Sequence, residues 1–169
     1  MRRDAPGIAE NRERAQQHDL SPVAASRIVA AAGVRAGDRV WEVGAGTGRL
    51  TAALLAAGAE VRAVERDLER VARLRAAFPT VTVIAGDAVQ VAPTFTGPCR
   101  IVANPPFNLT APLVQRALLE TPVRAIDLVV QREAAQKLVG APGRHTRSSV
   151  LAAAAGAGRI ALHLRRGDV

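Results

Sequence analysis

Asn104-Pro105-Pro106-Phe107 brings an amide, two prolines and an aromatic ring together in four consecutive residues. The loop directly follows an apolar run, residues 100–103, that reads as a buried strand. Such a loop can present a weakly nucleophilic amino nitrogen. On an adenine that nitrogen's lone pair is delocalised into the ring, and acceptors set on its two hydrogens favour the tetrahedral form whose lone pair can attack. The Asn104 side-chain oxygen and the Pro105 carbonyl are acceptors of this kind, and the prolines stiffen the backbone that carries them. Phe107 offers a face on which an extruded base can stack. Asn104, Pro105 and Phe107 are therefore the candidate catalytic residues.

A second group of residues describes an adenosine site. Gly44, Gly46 and Gly48 alternate in Val43-Gly44-Ala45-Gly46-Thr47-Gly48, between an apolar run and an amphipathic one. Glycines permit a tight turn and close backbone approach, and the free N–H groups of the following helix start can face an anion. A dinucleotide fingerprint would place glycine where Arg49 stands, which disfavours a nicotinamide cofactor. Glu65 follows Gly44 by 21 residues and ends the next apolar run, where a carboxylate can accept from two ribose hydroxyls. Asp87, in Gly86-Asp87-Ala88 after a third run, can accept from an adenine amino group. Asp67 reads instead as a helix cap.

These residues need a scaffold that gathers them. Apolar runs at 40–43, 61–64, 81–85, 100–103 and 125–130 predict strands, and a final strand is expected at 159–164. Between them lie amphipathic helices: one opened by Ser21-Pro22, others around residues 50–57 and 68–74, one capped by Thr110, and further ones at 133–139 and 148–155. Strands separated by helices of this length need right-handed crossovers, so the expected fold is α/β and Rossmann-like. A mostly parallel central sheet carries helices on both faces, with ligands at the strand C-termini.

The chain has 169 residues, enough for one core, and we expect a flexible basic arm over residues 1–17 and a single catalytic domain over 18–169. No apolar stretch reaches bilayer length, and the N-terminus lacks the apolar run of a secretory signal, so a cytoplasmic protein without membrane attachment is expected. Cys99 is the one cysteine and reads as a packing residue; with it, His18, His145 and His163 are too scattered to hold a metal. The net charge of +8, carried by 22 arginines and Lys137, points to a polyanionic partner.

Taken in order, residues 42–51, 61–67, 86–88, 104–110 and Gln131-Arg132-Glu133 resemble the motifs of the ribosomal RNA adenine N6-methyltransferases. That family includes the 16S dimethyladenosine transferases and the Erm macrolide-resistance enzymes that act on 23S rRNA. The resemblance implies S-adenosylmethionine as cofactor, S-adenosylhomocysteine as product, and no metal. It places cofactor contacts at His18, Leu20, Gly44, Gly46, Glu65, Arg66, Asp87, Ala88 and Asn104. Gln17-His18-Asp19-Leu20 is similar to a family segment, Gln-Asn-Phe-Leu, that closes over the cofactor, with His and Asp replacing Asn and Phe. Asn-Pro-Pro-Phe followed by Leu109-Thr110 looks more like actinobacterial Erm enzymes than the 16S group, which usually has Leu-Pro-Tyr after its Asn.

The expectation is therefore methyl transfer to the N6 of an adenine in 23S rRNA, by a monomer, with macrolide-lincosamide-streptogramin resistance as the associated role. The alternative within the family is a 16S rRNA adenine dimethyltransferase. Family members continue past the last strand into a small helical domain, whereas this sequence ends at Val169, so RNA contact is expected from the arm and from Arg144, Arg147, Arg165 and Arg166. A DNA-adenine or protein-glutamine N-methyltransferase could use the same Asn-Pro-Pro-Phe loop, and a non-catalytic RNA-assembly factor could use the same fold.

Overall fold

The computed structural model describes residues 19–120, 123–139, 158–165 and 168. The proposed arm at 1–17, His18, the expected helix at 148–155, and Arg144, Arg147 and Arg166 lie outside them.

Among the described residues five strands form one parallel sheet in the order β3-β2-β1-β4-β5: β1 Arg39–Val43, β2 Glu60–Glu65, β3 Thr82–Ala85, β4 Cys99–Ala103 and β5 Val123–Leu128. The helices are α1 Pro22–Ala32, α2 Arg49–Ala56, α3 Leu68–Ala77, α4 Thr110–Glu120 and α5 Arg132–Val139. Ser21 caps α1 by accepting from the Ala24 N–H, Pro22 opens it with a pre-set φ, and Gly33 closes it in the left-handed conformation. Asp67 caps α3 by accepting from Glu69 and Arg70 N–H, as its sequence position suggested.

Side chains alternate across β1, and each face carries its own core. Val40, with Val61, Ala63 and Val102, packs with α1, α2 and α3 residues such as Ile28, Leu54 and Leu74. Trp41 and Val43, with Cys99, Ile101 and Ala103, pack with Leu113 and Ala117 of α4 on the other. Cys99 is buried there, where burial pushes its thiol pKa up, in keeping with a packing role.

Two sequence expectations are corrected. Residues 159–164 form no strand. Leu162 and Leu164 are half-buried against the α1-side core, while Ala161, His163 and Arg165 are exposed. The alternation in the sequence thus records a half-buried segment, and one that pairs its backbone with no described strand forms no ladder. Its surroundings are tied to α1 instead, by Ser21 N–H donating to the Asp168 carbonyl at 3.0 Å and by an Arg27–Asp168 ion pair at 3.1 Å. Thr110 is the second departure. It is the first residue of α4, not its cap, and its buried hydroxyl has no partner among the described residues. A 3-10 turn at Phe107–Leu109, closed by Leu109 N–H donating to the Pro106 carbonyl at 2.9 Å, leads the chain into the helix.

No helix among the described residues is long and apolar enough to cross a membrane.

Candidate active site

The strand order reverses direction between β1 and β4, and a crevice at the C-terminal ends of such a pair is the ligand position of open parallel sheets. Val43 pairs with Val64 on one side and with Ala103 on the other, and Glu65 pairs with Ala85. The residues that follow these positions, Gly44, Gly86 and Asn104, therefore share one edge of the sheet with Glu65. Motifs spread over some 60 positions become neighbours through register alone.

Gly44, Gly46 and Gly48 have φ of 71°, 58° and 81°, all in the left-handed region that favours glycine. A Cβ on Gly44 would meet nothing within 4 Å, so its constraint is conformational, whereas one on Gly48 would lie 2.5 Å from Phe78 Cε2. Gly48 is thus constrained by packing against Phe78 at the end of α3 as well as by its φ.

Glu65, 3% exposed, fastens this turn. Its Oε2 accepts from Gly46 N–H at 2.9 Å, and its Oε1 accepts from Arg66 and Asp67 N–H at 2.9 and 3.0 Å. A carboxylate has about four acceptor positions, so three are already engaged. Asp87 is half-buried, with Oδ1 accepting from Val89 N–H at 2.8 Å. Ala88 is half-buried and packs toward the Trp41 side of the sheet. Arg66 is exposed at the end of β2.

Gly44, Ala45, Gly46 and Thr47 line an open cleft together with Asp19, Leu20, Arg49, Leu50 and Asn104. Leu20 is buried at the cleft wall, Asn104 is half-buried at its rim and Pro105 is buried behind it. The Phe107 side chain lies outside the described residues. An adenosine-bearing cofactor fits the residues on this edge: glycines that open the backbone, a carboxylate at the end of β2 and another after β3.

Sequence reasoning missed Glu42. It is 1% exposed on β1, with Oε2 accepting from the Thr51 hydroxyl at 2.7 Å and Oε1 without a partner among the described residues. Burial pushes its carboxyl up to about 8; the Thr51 hydrogen bonds oppose the rise and nearby Glu65 adds to it. An acid inside Val40-Trp41-Glu42-Val43 was the signal available, because a charge in a fully buried strand calls for a partner. Arg49 was also missed as a cleft residue, and Asp19, although in the segment expected to close over the cofactor, was not named as a contact. Asp19 Oδ1 accepts from the Thr47 hydroxyl at 3.3 Å, a long-range contact that no local pattern encodes. Among the described residues no cluster of three or more His, Cys, Asp or Glu could hold a metal ion.

Comparison with known proteins agrees with this geometry. The ribosomal RNA small subunit methyltransferase A of Magnetococcus marinus is 37% identical over 146 residues, covering 81% of this chain and 52% of the relative. That of Leifsonia xyli subsp. xyli gives the same identity and shares. The chain thus spans about half the length of the curated relatives it matches. Among solved structures, the 23S rRNA methyltransferase ErmE superposes with a TM-score of 0.70 at 28% identity, over 79% of this chain and 56% of that one. A dimethyladenosine transferase from Plasmodium falciparum gives 0.66 at 25% identity, over 79% and 51%. Residues 9–156 match the family model described as ribosomal RNA adenine dimethylase, and the chain belongs to that family.

Proposed function

We propose that this chain transfers a methyl group from S-adenosylmethionine to the N6 amino group of an adenine in ribosomal RNA. The observation that carries the reading is the placement of Asn104 after β4 beside the glycine turn after β1, at the point where the strand order reverses. The cofactor, when bound, supplies a methyl group already activated on a sulfonium. The chain's own work is then to bind and to orient. Asn104 Oδ1 and the Pro105 carbonyl accept the two amino hydrogens, aiming the nitrogen's lone pair, and the proton released on transfer goes to water. Glu65 takes the ribose hydroxyls, sharing or exchanging the position that Gly46 N–H holds, and Asp87 accepts from the cofactor's adenine. His18, Leu20, Gly44, Gly46, Arg66 and Ala88 complete the cofactor contacts, and Phe107 stacks on the target base. Residues 18–169 are the catalytic domain in this reading, acting as a cytoplasmic monomer with residues 1–17 as an RNA-contacting arm.

For the substrate we favour 23S rRNA, on the Asn-Pro-Pro-Phe loop and the structural similarity to ErmE. A second reading, 16S rRNA, is supported by the curated relatives, which are named small subunit methyltransferases. The test is transfer of radiolabelled methyl from S-adenosylmethionine to protein-free 23S rRNA, 16S rRNA, DNA and a peptide mixture, with Asn104→Ala as control. Label on 23S adenine alone supports the Erm-like reading and its link to antibiotic resistance. Label on 16S rRNA replaces the substrate, and label on DNA or peptide alone overturns the RNA reading.

A further inference from the structure

The formal charges that line the cleft among the described residues are one of each sign, Asp19 and Arg49, set among glycine, alanine, leucine, threonine and asparagine. They come from different elements. Arg49 is the first residue of α2, directly after the glycine turn, and Asp19 precedes α1. Asp19 is fixed against the turn because its Oδ1 accepts from the Thr47 hydroxyl at 3.3 Å. Its other oxygen is left for an incoming donor. Arg49 is exposed, and no hydrogen bond or ion pair joins it to a described residue.

A cleft with one anion and one cation is matched by a ligand end that carries both an ammonium and a carboxylate on one carbon. We infer that Asp19 and Arg49 are specificity-determining residues for the amino-acid end of the cofactor, Asp19 receiving the α-ammonium and Arg49 the α-carboxylate. The inference rests on the S-adenosylmethionine reading of the cleft. Charge-assisted hydrogen bonds of this type are stronger than neutral ones and disfavour a ligand that lacks the complementary group. The pair also makes the cleft neutral overall, so it selects for the zwitterion and not for net charge.

Titration calorimetry tests this with S-adenosylhomocysteine and two truncated analogues, S-adenosyl-thiopropylamine, which lacks the carboxylate, and S-adenosyl-thiobutyrate, which lacks the ammonium. None of the three carries a sulfonium, so attraction of Asp19 to that charge cannot imitate the result. Asp19→Asn keeps the acceptor for Thr47 and removes the charge; Arg49→Gln removes the cation. Asp19→Asn should weaken S-adenosylhomocysteine about tenfold and leave the thiobutyrate unchanged, and Arg49→Gln should weaken it about tenfold and leave the thiopropylamine unchanged. Equal losses for every ligand, or no losses, overturn the assignment while leaving cofactor binding intact. Failure of the unaltered chain to bind S-adenosylhomocysteine overturns both this inference and the cofactor reading beneath it.

Discussion

Gly46 donates its backbone N–H to Glu65 Oε2 at 2.9 Å, so the acid at the end of β2 fastens the turn that follows β1. The same carboxylate ties down the first two residues after its own strand through Oε1. Glu65 is therefore a structural clasp as well as a candidate ligand residue. Glu65→Ala should lower folding stability by about 1–3 kcal/mol, the scale for a buried donor left unpaired. Urea denaturation checks this, and an unchanged midpoint would restrict Glu65 to ligand contact.

Glu42 should make stability depend on pH in an unusual direction. Below its ordinary value of 4.5 the carboxyl is neutral in both folded and unfolded chains and carries no penalty. Between 4.5 and about 8 the unfolded chain has released a proton that the folded chain retains, so stability is lost as pH rises, levelling off above about 8. The slope is at most about 1.4 kcal/mol per pH unit. Glu42→Gln, which can still accept from Thr51, removes this dependence. Its stability relative to the unaltered chain should rise across that window, and parallel profiles would show that Glu42 does not titrate there.

Gly44 and Gly48 separate conformational strain from crowding. Gly44→Ala should cost about 1 kcal/mol for a left-handed φ with open space beside it. Gly48→Ala adds the 2.5 Å approach to Phe78 and should cost more, about 2–4 kcal/mol. Pairing Gly48→Ala with Phe78→Leu should recover part of that difference in thermal melts. No recovery would move the constraint elsewhere.

Asn104→Ala should reduce methyl transfer by about 100-fold or more, the scale for loss of one preorganised polar contact. Asn104→Asp keeps an acceptor oxygen and should fall less. Circular dichroism of both should match the unaltered chain, since Asn104 stands half-buried beyond the end of β4. Equal loss in the two variants would argue against the acceptor role.

The parallel sheet was legible because its strands are short apolar runs bounded by turn residues, and the site because its motifs stand at the ends of those runs. Gly44, Glu65, Asp87 and Asn104 fall on one edge as their order implied. What escaped depends on partners distant in sequence. The alternation at 159–164 could not reveal whether a neighbouring strand was available, and Thr110 looked like a cap because the turn at Phe107–Leu109 has no clear local signature. The Asp19–Thr47 contact links residues 28 positions apart, and Glu42's raised carboxyl value comes from burial that sequence alone does not measure.

The reversal of strand order between β1 and β4 also fixes when the cleft comes into being. β2 and β3 grow outward from one side of β1, and β4 must return to its opposite side before Gly44 and Asn104 adjoin. A chain that ends after β3 contains Gly46 and Glu65 but lacks Asn104. A ligand that contacts both Gly44 and Asn104 would stabilise the finished sheet against every partly built one. It offers a direct assay of complete assembly.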